Sequence, residues 1–84
     1  MEYKILAGLI MTKTIYSKEH KNLIKKLIKA RKEKKLSQKQ VAEILGVTQS
    51  YVSKIESGQR RIDIVQLKKF ANIYQKKISF FLEE

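Results

Sequence analysis

Gln49, Ser50 and Lys54 are residue types that read nucleic-acid bases, and six consecutive positions hold all three. A glutamine amide pairs bidentately with adenine N6 and N7, and a serine hydroxyl donates or accepts at a base edge. Lys54 follows Ser50 by four residues, one turn along the same helical face, within reach of a guanine or a phosphate. Tyr51 and Ser53 are secondary candidates for base reading. Tyr51 suits a thymine methyl, a phosphate, or simple cover of the helix end. Upstream, Gln38 combines a side-chain amide with the free backbone N–H groups of a helix start, where the dipole is positive and a phosphate is welcome. Arg60 and Arg61 are placed to flank a groove and neutralise phosphates.

Two short amphipathic helices joined by a tight turn must position these side chains. Val41, Ala42, Leu45, Val47, Val52 and Ile55 fall on one face of each helix, leaving Gln38, Gln49, Ser50, Ser53 and Lys54 outward. Ser37 and Gln40 have capping-box spacing, so a helix over about 38–45 is expected, ended by Gly46 in the left-handed conformation. Thr48 caps the next, over about 49–57, closed by Gly58. A first helix is expected over residues 18–35 behind Ser17, with Leu23, Ile24, Leu27 and Ile28 at helical spacing. Asp63 and Gln66 read as a second capping box opening a fourth helix that buries Leu67, Phe70, Ala71 and Tyr74. A short fifth helix, from Ser79 through Leu82, closes the core.

Composition narrows the partner. The 84 residues carry 19 Lys plus Arg against 8 Asp plus Glu, a formal charge of +11, which calls for an anionic partner. Nucleic acid leads and an anionic membrane surface follows. Residues 18–39 hold ten basic residues against Glu19 and Glu33. They read either as a solvated helix face or, with Lys39 among them, as phosphate contacts. No cysteine is present, so thiolate metal sites and cysteine nucleophiles are excluded and a reducing cytoplasm fits. The longest apolar run, Ile5 to Met11, is far short of the roughly 20 residues of a membrane span. His20 stands without a second His or Cys, which predicts a surface residue and no metal. Three glycines are too few for a phosphate loop and no serine has a positioned base, so neither an enzyme nor a cofactor is expected.

Residues 1–16 fit this scheme poorly. Tyr3, Ile5, Leu6, Leu9, Ile10 and Ile15 are apolar and β-prone without helical caps. They read as an N-terminal extension of uncertain structure, a strand or arm; alternatively Met11 is the natural start and the preceding residues are a leader. Residues 17–84 form the expected domain.

Leu36 to Arg61 resembles the lambda-repressor-like, Cro/C1 or Xre-type helix-turn-helix family. The resemblance rests on Ser37-Gln38, Val41-Ala42, Leu45-Gly46-Val47, Thr48-Gln49-Ser50, Val52 and Ile55-Glu56-Ser57-Gly58. It implies an all-α, compact five-helix domain over residues 18–82, with an extension that the family's core does not require. It further implies that Gln49, Ser50 and Lys54 read bases, that Gln38 and Ser57 hold phosphate, and that Arg31 forms a structural ion pair with Glu56. Small domains of this family commonly dimerise through their last helices, which makes Tyr74, Ile78, Phe80 and Leu82 candidate dimer contacts, with core packing the competing role.

The expected function is that of a sequence-specific regulator of transcription, a repressor acting on a palindromic operator of double-stranded DNA as a homodimer. An antitoxin that masks a toxin and autoregulates, or a controller of a restriction-modification system, is the alternative. The expected setting is a prokaryotic or phage-encoded protein, cytoplasmic and on DNA.

Overall fold

A computed structural model describes residues 17–83, and within them the chain is five α-helices and no strand. The helices are α1 (Lys18–Glu33), α2 (Gln38–Leu45), α3 (Gln49–Glu56), α4 (Ile64–Tyr74) and α5 (Ile78–Leu82). The all-α expectation is borne out. The expectations for residues 1–16, strand, arm or leader, lie outside the described residues.

Side-chain caps set where four of the helices start. The Ser17 hydroxyl accepts from His20 N at 3.1 Å, the Thr48 hydroxyl from Tyr51 N at 3.1 Å and the Asp63 carboxylate from Gln66 N at 2.8 Å. Each satisfies a first-turn N–H that the helix itself cannot pair. At α2 the cap is reciprocal: Ser37 Oγ accepts from Gln40 N at 3.1 Å while Ser37 N donates to Gln40 Oε1 at 2.8 Å. The reciprocal arrangement expected of Asp63 and Gln66 is only half formed. Gln66 Oε1 is buried without a hydrogen bond, so its amide does not reach back to the cap.

The first four helices end alike, in a left-handed residue followed by an N–H that reaches back to a carbonyl five residues earlier. The bonds are Leu36 N to Arg31 O, Val47 N to Ala42 O, Gln59 N to Lys54 O and Lys76 N to Ala71 O, at 2.9–3.2 Å. At two of these ends the left-handed residue is glycine: Gly46 has φ +73° and Gly58 has φ +83°. A Cβ on Gly58 would also come 3.3 Å from the Ile24 methyl, so space and backbone both favour glycine there. At the other two it is Lys35, φ +57°, and Gln75, φ +55°. This corrects the expected end of α1. The helix stops at Glu33, two residues short of 35, because Lys35 itself turns left-handed.

The core forms where these helices meet. Leu27 and Ala30 of α1, Val41 and Ala42 of α2, Val52 and Ile55 of α3, Leu67, Phe70, Ala71 and Tyr74 of α4, and Phe81 of α5 are buried together. Small residues at 30, 42 and 71 let backbones approach, and the rings of Phe70, Tyr74 and Phe81 fill the centre. Burial of Val52 and Ile55 fixes the roll of α3 about its axis, so its remaining positions must face out.

His20 departs from its expected surface position. It is buried, on the face of α1 that also carries Leu23, Ile24 and Leu27, and lines a cleft with Arg61, Ile62 and Phe81. Its Nε2 has no hydrogen-bond partner. Burial, and then the nearby Arg61 charge, lower its pKa below the ordinary 6.5.

Candidate nucleic-acid interface

The outer face of α3 carries Gln49, Ser50, Ser53 and Lys54, all exposed, while Val52 and Ile55 on its inner face are at most 1% exposed. Eight residues make little more than two turns, so the outward set forms one contiguous polar strip beginning at the helix N-terminus. That end, with its Thr48 cap, is exposed. Amide, hydroxyl and ammonium groups are offered along it, the combination that base edges and phosphates accept.

The other end of α3 is tied down. Glu56 is buried and accepts from Arg31 Nε at 2.7 Å through Oε2 and from Arg31 Nη2 at 3.0 Å through Oε1. The third Arg31 nitrogen, Nη1, donates to the carbonyl of Leu36 at 2.9 Å. Gln38 Nε2 donates to Glu56 Oε1 at 3.0 Å. The Glu56 carboxylate thus links α1, the start of α2 and the end of α3, and Arg31 adds the turn after α1. The hydrogen bond to Glu56 raises the Arg31 pKa, against the opposing effect of burial. The Tyr74 hydroxyl is buried without a hydrogen bond, and burial, followed by Glu56, pushes its pKa far above the ordinary value.

Gln38 therefore does not simply face outward. It is half-buried because Glu56, 18 residues further along, draws its amide inward. One amide hydrogen and the backbone N–H groups of Gln38 and Lys39 remain for an anion, Gln40 N being taken by the Ser37 cap. Ser57 is exposed, but its hydroxyl donates to Lys54 O at 3.2 Å, so contact with a phosphate would require that proton to be redirected. Lys39 is exposed on the first turn of α2. Tyr51 is half-buried, and the guanidinium of Arg60 lies over its ring, 4.6 Å from the centroid. Arg61 is exposed at the cleft that holds His20.

Two ion pairs form among the described residues, Arg31 with Glu56 and Lys76 with Glu33 at 3.1 Å. Neither engages Lys39, Lys54, Arg60 or Arg61, so these charges remain available to an outside anion. No group of three or more His, Cys, Asp or Glu side chains able to hold a metal occurs among the described residues, and no described helix is long and apolar enough to cross a membrane.

Of the candidate dimer contacts, Tyr74 is corrected. It is 0% exposed, enclosed by its own domain, and has no surface to present to a second copy. Ile78 and Phe80 are half-buried and Leu82 is exposed. Phe80 meets Phe81 edge-on at 5.1 Å, and the ammonium groups of Lys26 and Lys76 lie 5.7 and 4.8 Å from its centroid.

Three features of this region escaped sequence reasoning. The Gln38–Glu56 bond and the Tyr51–Arg60 contact join residues too far apart for helical spacing to reveal. The burial of His20 had a signal: it precedes Leu23, Ile24 and Leu27 by three, four and seven residues, the apolar spacing of one helix face.

A family model described as Helix-turn-helix matches residues 27–81, from the middle of α1 into α5. No curated protein and no solved structure matches the chain.

Proposed function

Because the chain belongs to the Cro/C1-type helix-turn-helix family of DNA-binding transcriptional regulators, we propose that it is a sequence-specific repressor that binds a palindromic operator as a homodimer. The observation that carries this reading is the polar strip of α3, anchored by a buried inner face and open at its N-terminal end. In the proposed complex α3 enters the major groove, with Gln49 and Ser50 against base edges and Lys54 one turn behind. Ser53 lies on the same strip as a secondary base contact.

Gln38, Lys39, Ser57, Arg60 and Arg61 supply the backbone contacts that fix register without reading sequence. The second copy joins through the α5 side, where Leu82, Ile78 and Phe80 offer apolar surface, and places the two α3 helices about 34–36 Å apart, one turn of B-DNA.

Fluorescence anisotropy on duplexes selected from a random-sequence pool tests the reading. Gln49→Ala is expected to weaken binding by about 1–3 kcal/mol and to relax preference at one base position. An unchanged preference profile would sink the assignment of Gln49. Sedimentation on the operator-bound protein tests the stoichiometry, with one copy per palindrome as the result against a homodimer.

A further inference from the structure

Tyr51 belongs to the first turn of α3 and Arg60 to the loop beyond its last, yet the guanidinium lies over the ring, its carbon 4.6 Å from the centroid. The backbone brings this about. Gly58 turns left-handed, and Gln59 N and Arg60 N then both donate to Lys54 O, at 2.9 and 3.1 Å. Lys54 is three residues along α3 from Tyr51, so pinning the loop there puts Arg60 one helical turn from the ring.

The order of burial gives each partner its part. Tyr51 is half-buried and fixed by the helix, whereas Arg60 is exposed. Stacking uses the flat face of a guanidinium and leaves its in-plane N–H donors free, and those donors match the oxygens of a phosphate. Neither ion pair among the described residues engages Arg60. The guanidinium covers one face of the Tyr51 ring, and the side chain is otherwise half-buried, which leaves little of the ring to press on a base.

We propose that Tyr51 is a positioning residue: it holds Arg60 ready for a phosphate of the DNA backbone and does not itself read a base. The inference rests on the reading of α3 as the groove-facing helix. Ordering a long arginine side chain before DNA arrives removes an entropic cost that a free arginine meets on contact.

A double-mutant cycle tests it, with two probes: the duplex that wild-type protein selects from a random pool, and a scrambled duplex of equal length. Arg60→Ala should lower the slope of log K against log salt by about 0.9 on both. Tyr51→Ala should weaken binding about 2- to 5-fold on both, the factor expected of an exposed cation–π contact, and Tyr51→Phe should keep wild-type affinity. In the Arg60→Ala background, Tyr51→Ala should cost nothing further. Thermal melts of each variant separate loss of binding from loss of fold. The proposal is overturned if Tyr51→Ala alters preference at a single base position, costs the same with and without Arg60, or if Tyr51→Phe binds as poorly as Tyr51→Ala. Should wild-type protein select no sequence, the sequence-specific reading fails, while the cycle on the scrambled duplex still decides the role of Tyr51.

Discussion

The two ends of α3 are built on opposite terms. At the first end Gln49 and Ser50 are exposed, beyond a single threonine cap. At the last end Glu56 is buried and receives hydrogen bonds from Arg31 and Gln38, while the following loop folds back onto Lys54 O. Eight residues thus pass from surface that contributes little to stability to a junction on which three helices depend. Side chains can change at one end with little consequence for the fold, whereas changes at the other reach every element that Glu56 ties together.

The largest effect that would break this contrast lies at Glu56. Glu56→Ala leaves the Arg31 guanidinium buried without its carboxylate and should destabilise the domain by about 3–5 kcal/mol in urea unfolding. Replacing both Arg31 and Glu56 by methionine should recover most of that loss, since an apolar pair of similar volume avoids the desolvation of two charges. If Glu56→Ala were nearly neutral, the junction would not be the anchor described. Gln49→Ala is the counterpart. Its loss of about 1–3 kcal/mol in DNA binding should come with an unfolding midpoint shift equivalent to less than about 0.5 kcal/mol.

A smaller effect should sharpen the picture at Lys35, just before the carbonyl that receives Arg31 Nη1. A left-handed backbone strains a side chain with a Cβ, so Lys35→Gly should stabilise by about 0.5–1 kcal/mol after the entropy of glycine in the unfolded chain is allowed for. The smallest effect expected is in pH dependence. His20 has a lowered pKa when folded, so below its ordinary value of 6.5 the unfolded chain binds the extra proton first. Stability should therefore fall as pH drops through 6.5 toward the folded-state pKa and level off below it, and His20→Gln should flatten that decline in melts across the range.

What could be read from sequence was what depends on near neighbours. Ser37 and Gln40 stand three apart, and both capping bonds form; the left-handed glycines 46 and 58 mark helix ends in the same local way. The end of α1 is not legible in the same way, because the chain turns left-handed at a lysine, a residue that carries no such mark. Asp63 and Gln66 have the same spacing as Ser37 and Gln40, yet Gln66 is turned into the protein by the packing of α4 and the reciprocal bond is lost. The inward turn of Gln38 was hidden for a related reason: its partner is a carboxylate on another helix, and only tertiary packing brings it near. Arg31 and Glu56 were paired through family resemblance, since 25 residues of separation give no periodic clue.

Helices of eight residues carry a further consequence. An isolated α-helix shorter than about 12–15 residues is marginal in water, so neither α2 nor α3 has an independent existence. A peptide copying residues 36–61 would be mostly coil and would present no ordered strip to DNA. Yet the outward positions of α3 make few commitments to the scaffold that shapes them. If α3 reads bases as proposed, transplanting another set of side chains onto positions 49, 50, 53 and 54 of the intact domain is the economical way to redirect it to a new sequence, whereas excising the two helices would destroy them.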